Sequence, residues 1–133
     1  MANVIYPKAK ESFLSQNPSI DLDTDTIKVA LIDTGTYTYS ASHQYWSSAS
    51  SAAVGTPATL ANKTIANGVF DADDVTYSAV TGNTVEAIIV YKDTGSAATS
   101  PLIAYFDSGT GLPITPNGGN ITLTFNASGI FAL

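Results

Sequence analysis

The sequence predicts an all-β protein: an antiparallel β-sandwich, Ig-like or jelly-roll-like, with a short N-terminal helix. Short segments of alternating apolar and polar residues are separated by turns about every 8–12 residues, a spacing typical of sandwiches and barrels. Charged residues make up only 12% of the chain, about half of the usual share. At 133 residues we expect a single domain, 1–133, with an N-terminal helix or arm at 1–20 and a long variable loop at 40–57.

The predicted central strand is Thr84–Tyr91, the longest apolar run in the sequence. Apolar residues occupy both of its alternating faces, and a strand of this kind is usually covered on both sides. Turn-forming residues flank it at 81–83 and 93–95. We therefore expect this strand to lie in the middle of the main sheet.

The first predicted elements are a helix over 4–15 and a strand over 26–33. Pro7 suits the first position of a helix because its missing N–H has no partner there in any case. Phe13 and Leu14 are expected to hold the helix against the body of the protein. In the segment 26–33, apolar and polar positions alternate as in a half-buried strand.

The segment 40–57 is rich in serine and alanine and contains the only tryptophan and the only histidine. It is predicted to be a loop, and loops of this length are usually functional or mobile. Two interpretations of its aromatic residues stay open: Tyr45 and Trp46 pack back onto the sheet, or they form an aromatic contact with a partner.

The remaining chain is predicted to form short strands. Asn67-Gly68 is the strongest hairpin signal, because both residues tolerate the positive φ angles of a tight turn. A loop is predicted at 108–119 and a turn at 126–129. The strands around these turns are expected at 58–65, 69–70, 75–79, 101–107, 120–126 and 130–133.

Charge and cysteine content exclude several classes of function. The net charge is −6, and the five basic residues are all lysines. Nucleic-acid binding depends on Lys and Arg at phosphates, and anionic membranes attract basic segments. We therefore expect neither nucleic acid nor a membrane as a partner. The chain has no cysteine, so it forms no disulfide.

One catalytic hypothesis rests on the triplet Asp33-Thr34-Gly35, which follows an apolar run as in retropepsin-like aspartic proteases. In those enzymes two aspartates share a proton, and Asp93-Thr94-Gly95 supplies a second copy of the triplet. However, Lys92 interrupts the apolar run before Asp93, and Asp, Thr and Gly are common turn residues. A turn is the preferred interpretation of both triplets.

A calcium site is the other chemical hypothesis, because Asp21, Asp23 and Asp25 alternate. The EF-hand pattern also needs a glycine and a glutamate at positions occupied here by Thr26 and Ile32. A looser calcium site that includes the acidic turn 71–74 stays open as an alternative, but solvated turns are the preferred interpretation of these aspartates. His43 has neither a zinc-ligand set nor a triad context. We therefore predict no enzyme activity and assign no catalytic, cofactor-binding or metal-binding residue.

Five segments of the sequence share a likeness with one protein family: 3–14, 23–33, 68–75, 87–95 and 111–119. Together they resemble a family of small virion structural proteins of tailed bacteriophages, and the resemblance covers most of the chain apart from residues 40–57. It implies a structural protein of the virion, assembled in the host cytoplasm. Within that family we expect a capsid decoration (cement) protein on the outer surface of the major capsid shell, with a tail or neck component as the alternative.

The resemblance implies protein partners rather than a substrate. A cement protein buries surface against the major capsid protein, or against tail subunits in the alternative role. It is expected to form a closed homo-oligomer such as a trimer. The candidate partner contacts are Tyr6 and Phe13 in the N-terminal segment and Tyr45 and Trp46 in the long loop.

A function of another class stays open, that of a carbohydrate-binding β-sandwich. Four aromatic residues that could stack on sugars lie close together in the sequence. This alternative requires that their rings share one exposed platform. The four residues are Tyr37, Tyr39, Tyr45 and Trp46.

Overall fold

The computed structural model describes residues 3–108, 112–126 and 128–133. It confirms the predicted fold class: the protein is mostly β, sandwich-like, and has one short N-terminal helix. All strand pairs in these ranges are antiparallel. The predicted loop 108–119 and the turn 126–129 are described only in part, because 109–111 and 127 lie outside these ranges.

Across the described residues, short strands follow one another after one α-helix near the start. Three 3₁₀ turns lie at Trp46–Ser48, Ser50–Ala52 and Ala97–Thr99. No helix in the ranges described has the length and apolar character of a membrane span. The elements are β1 Val4–Ile5, α1 Pro7–Ser15, β2 Ile27–Ile32, β3 Ala53–Thr59, β4 Thr64–Ala66, β5 Val69–Asp71, β6 Val75–Tyr77, β7 Ala87–Lys92, β8 Leu102–Phe106, β9 Ile121–Leu123 and β10 Phe131–Ala132.

The main sheet has five strands in the order β1-β8-β7-β2-β3. The predicted central strand is confirmed as β7, which lies third in this order and is buried from Ala87 to Tyr91. Its neighbour β2 is also almost entirely buried. Side chains from both faces of these two strands therefore form the centre of the hydrophobic core.

The N-terminal helix is shorter than predicted. It begins at Pro7, as expected, but Val4 and Ile5 pair with β8 as a short strand. Ala9 and Ser12 face inward and Phe13 packs against the core, whereas Leu14 is 89% exposed. The prediction that Leu14 holds the helix in place is wrong. The inward-facing row consists of Ala9, Ser12 and Phe13, spaced at i, i+3 and i+4, and Leu14 lies about 100° around the helix from Phe13 on the side away from that row.

The predicted loop 40–57 is also partly wrong, since β3 begins at Ala53 rather than near 58. Gly55 and Pro57 suggest a break, yet both fit an edge strand that contains a bulge. The pairing with β2 shifts at this bulge, and Gly55 has a φ of +73°.

Two small sheets complete the fold, β6-β9 and β10-β5-β4. Tyr77 of β6 is buried, and its hydroxyl donates to the carbonyl oxygen of Val29 in β2 at 2.8 Å. The predicted hairpin is confirmed between β4 and β5, where Asn67 and Gly68 have φ angles of 52° and 77°. We call the sheet β10-β5-β4 the small sheet.

Candidate functional site

The first Asp-Thr-Gly triplet forms a turn directly after β2. The Oδ1 atom of Asp33 accepts a hydrogen bond from the Gly35 amide at 2.9 Å. Its Oδ2 atom accepts from the Thr36 hydroxyl and from the Asn83 side-chain amide, both at 2.9 Å. These hydrogen bonds lower the pKa of Asp33, and the bond from the Gly35 amide has the largest effect. Both carboxylate oxygens are thus used to hold the turn together.

The second triplet forms a similar turn at the opposite end of β2. Asp93 Oδ1 accepts from the Gly95 amide at 3.0 Å, and Oδ2 lies 3.0 Å from Lys28 Nζ. The hydrogen bond from the Gly95 amide has the largest lowering effect on the pKa of Asp93, and Lys28 lowers it further. Because β2 separates the two turns, Asp33 and Asp93 are about 20 Å apart along the strand. The two triplets therefore act as turns and do not face each other within the chain.

The alternating aspartates at 21–25 likewise bond within their own turn. Asp21 Oδ1 accepts from the amides of Asp23 and Thr24 at 3.0 and 3.3 Å. Asp25 Oδ2 accepts from the Asp21 amide and forms an ion pair with Lys92 at 3.0 Å. No group of three or more acidic or histidine side chains in the described ranges is arranged to hold a metal ion.

Two of the four predicted partner contacts belong to the core. The Tyr6 side chain is 0% exposed, and its hydroxyl lies 2.8 Å from that of Tyr37. Trp46 is 7% exposed and stacks on Tyr91, with ring centroids 4.3 Å apart and planes at 6°. Of the two interpretations of the long loop, the structure supports packing against the sheet for Trp46.

The other two predicted contacts are partly accessible. Tyr45 is half-buried and forms an isolated bridge with Pro101. Phe13 is half-buried against the core. A partner contact at Tyr45 or Phe13 stays a prediction, whereas Tyr6 and Trp46 offer little side-chain surface to a partner.

A cleft lies at the end of the main sheet that carries Asp33. Its volume is about 500 Å³. The loop after β2, the residue before β7 and the end of β8 supply its walls. We call it the tyrosine cleft, and its lining residues are Thr34, Tyr37, Thr38, Tyr39, Glu86, Tyr105 and Asp107.

The tyrosine rings of this cleft form a connected cluster. The centroid of Tyr105 lies 5.4 Å from that of Tyr39 and 6.0 Å from that of Tyr37. The Tyr37 hydroxyl is 2.8 Å from the Tyr6 hydroxyl and 2.8 Å from His43 Nδ1. Tyr37 and Tyr105 are buried, and Tyr39 is half-buried. Packing and hydrogen bonds therefore hold these rings in place without a ligand.

The cleft also carries negative charge. Glu86 Oε1 accepts hydrogen bonds from the Thr34 amide at 3.0 Å and from the Thr34 hydroxyl at 3.2 Å. Both donors are neutral, so they orient the carboxylate without neutralising it. Burial raises the pKa of Tyr105 to about 12, and the charges of Asp107 and Glu86 contribute to this rise.

Sequence reasoning found only part of this site. The predicted aromatic cluster supplied Tyr37 and Tyr39, but neither Tyr45 nor Trp46 lines the cleft. Glu86 and Tyr105 were missed. The available signal was positional: Glu86 directly precedes β7 and Asp107 directly follows β8, and adjacent antiparallel strands place these two positions at the same end of a sheet.

Comparison with known proteins adds no assignment. No protein-family model matches the sequence, and the search of curated proteins found no match.

Proposed function

We propose that this protein is a structural protein of a bacteriophage virion, a decoration (cement) protein that binds the outer surface of the major capsid shell. The five segments that resemble small virion proteins support this role. The sparse charge and the short-stranded β fold fit a protein that packs against flat neighbouring surfaces. A tail or neck position is the alternative within the same class.

The observation that carries the proposal is the apolar surface of the small sheet. Its outermost strand β4 is exposed along its whole length, and Ile65 in that strand is 51% exposed. Leu133, which follows β10 and bonds to Gly68, is 66% exposed. Exposed edge strands and apolar side chains of this kind are sites at which another chain can pair or pack.

The apolar face of the small sheet continues from the core to its edge. Phe131, Phe70 and Ile65 lie opposite one another across the three strands and therefore share a face. Phe70 is 1% exposed, and the Phe131 ring lies 5.4 Å from it. A neighbour that covers Ile65 would extend this packed row. We propose that the capsid protein does so, with further contacts between copies in a trimer.

A binding experiment on particles tests this surface. Capsids that lack the protein are mixed with wild-type protein or with Ile65→Asp, and bound protein is measured after sedimentation. Burying an isoleucine contributes about 1.5–3 kcal/mol, so Ile65→Asp should weaken binding about tenfold or more. Leu14→Asp is the matched comparison, because Leu14 is also exposed and apolar but lies on the helix; an equal loss of binding in this variant would place the helix, with its predicted contact Phe13, in the interface as well.

Two outcomes of this experiment would contradict the proposal. Wild-type protein that fails to sediment with capsids would contradict a capsid role, and sedimentation of that protein with isolated tails instead would favour the alternative position. Equal occupancy by wild-type protein and Ile65→Asp would remove the small sheet from the interface.

The oligomeric state is tested separately by light scattering on the free protein. We expect three times the monomer mass of 13.8 kDa. A monomer at the concentrations used for capsid binding would contradict a preformed trimer.

A further inference from the structure

We propose that the tyrosine cleft is a binding site for a basic side chain, a lysine ammonium or an arginine guanidinium, supplied by a neighbouring protein in the assembly. The identity of that neighbour rests on the proposed virion function, whereas recognition of the cation depends on the cleft alone.

The charge of the cleft favours a cation. Glu86 places a carboxylate in the wall of the cleft, and its two hydrogen bonds in the described structure come from the neutral groups of Thr34 through Oε1. The described lining residues include no lysine. Three of the protein's five lysines form ion pairs elsewhere, at Glu11, Asp93 and Asp25. An incoming cation would meet Glu86 without competition from a basic residue of the lining.

The aromatic rings of the cleft also attract a cation. A cation within about 6 Å of a tyrosine ring is attracted by the negative face of that ring. Tyr39 is half-buried and supplies the accessible ring face, and the buried ring of Tyr105 packs against it with its centroid 5.4 Å away. The rings are held by neighbouring tyrosines in the absence of ligand, so binding costs little ordering.

Other classes of ligand fit the cleft less well than a basic side chain does. A sugar stacks on an exposed ring face, but Tyr37 and Tyr105 are each 3% exposed, and only Tyr39 offers appreciable surface. Calcium sites in proteins are built from clusters of carboxylates and carbonyl oxygens, and the described residues include no group of three or more acidic or histidine side chains arranged to hold a metal ion. A guanidinium or ammonium needs one carboxylate and one accessible ring face, which Glu86 and Tyr39 supply.

The test uses small probes on the whole protein. Binding of Nα-acetyl-lysine methylamide is followed by NMR through the tyrosine ring signals. Its neutral counterpart, Nα,Nε-diacetyl-lysine methylamide, has nearly the same shape and no charge. We expect shifts at Tyr39 and Tyr105 with the charged probe and none with the neutral probe.

Two variants assign the interaction to the cleft. Glu86→Gln retains an oxygen for the Thr34 bonds but loses the charge, and Tyr39→Leu removes a ring. Each should weaken probe binding about threefold to fivefold, as expected for one partly exposed charge pair or one cation–π contact. Asp93→Asn is the control, because it removes a carboxylate at the other end of β2, and it should leave probe binding unchanged.

Equal binding of the neutral probe, binding of methyl glucoside in its place, or absence of shifts with the charged probe would each overturn the proposal. Loss of probe binding in Asp93→Asn would do so as well. None of these outcomes depends on capsid occupancy, so failure of the cleft inference and failure of the virion role are distinguishable.

Discussion

The two ends of strands β2 and β7 carry the same Asp-Thr-Gly triplet but differ in charge and openness. At one end, which we call the lysine end, Lys28 pairs with Asp93 and Lys92 pairs with Asp25, each at 3.0 Å. At the other, the cleft end, Asp33 is held by neutral donors. The local triplet determines the turn in both places, whereas the surrounding chain determines whether the carboxylate meets a cation.

The aromatic residues differ in the same way. At the lysine end Trp46 covers Tyr91 in a parallel stack and is nearly inaccessible. At the cleft end Tyr39 and Tyr105 are tilted by 34° and line an open space. One end is therefore a closed and neutralised part of the fold, and the other has the features of a binding site.

The largest expected effect is on the closed end. Trp46→Ala removes the only tryptophan and leaves a cavity over Tyr91, so the free energy of unfolding should fall by about 3–5 kcal/mol. Urea unfolding followed by circular dichroism measures this loss. Trp46→Phe should retain most of the stability. A loss below about 1 kcal/mol would show that Trp46 is a surface residue and that the lysine end is not closed.

The second prediction concerns alkaline pH at both ends. Burial, with nearby carboxylates, raises the pKa of Tyr105 and of Tyr91 to about 12 each, from an ordinary value of about 10. As pH rises, the two tyrosine hydroxyls therefore lose their protons in the unfolded chain before they do so in the folded protein. The stability that the protonated hydroxyls contribute is present below about pH 10 and is lost as pH rises towards about 12. Urea unfolding at several pH values should show this decline.

Two variants assign that decline to the named tyrosines. Tyr105→Phe and Tyr91→Phe should each make stability less dependent on pH in this range, because each removes one shifted group. Phenolate absorbance should show that group missing from the late part of the titration. An unchanged pH dependence in both variants would mean that other groups govern alkaline unfolding.

The smallest expected effect is a difference between the two aspartate turns in how strongly salt changes their contribution to stability. The pair Lys28–Asp93 is partly exposed, and such pairs contribute about 0.2–1 kcal/mol. The destabilisation caused by Asp93→Asn should therefore shrink in about 1 M NaCl, where the Debye length is about 3 Å. Asp33→Asn should show little salt dependence, because the partners of Asp33 are neutral. Equal salt dependence of the two variants would remove the contrast between the ends.

The two aspartate turns share one property, a loss of stabilisation at acidic pH. The pKa of each aspartate is lowered in the folded state, so its contribution to stability is present above an ordinary pKa of about 4 and is lost as pH falls below it. Either Asn substitution should therefore reduce the loss of stability between neutral and acidic pH, measured by urea unfolding. A variant whose acid sensitivity equals that of the wild type would contradict the role of its aspartate.

Several elements could be predicted from the sequence because they depend on neighbours in the chain. The apolar run that became β7, the alternation in β2 and the Asn67-Gly68 hairpin each express periodicity or turn chemistry within about eight residues. The helix start at Pro7 is of the same kind. The Asp-Thr-Gly triplets were correctly interpreted as turns for this reason, since Asp33 and Asp93 bond to amides two residues away.

The sequence by itself determined the β class, the central strand and the turns. Only the tertiary structure decided which aromatic residues are buried and which line a cleft. Tyr6 and Trp46 resemble surface anchors in the sequence, yet each packs against a ring at least 30 residues away. Glu86 and Tyr105 come together because β7 and β8 are neighbours in the sheet. Burial and site geometry depend on such long-range pairing, which local preferences do not specify.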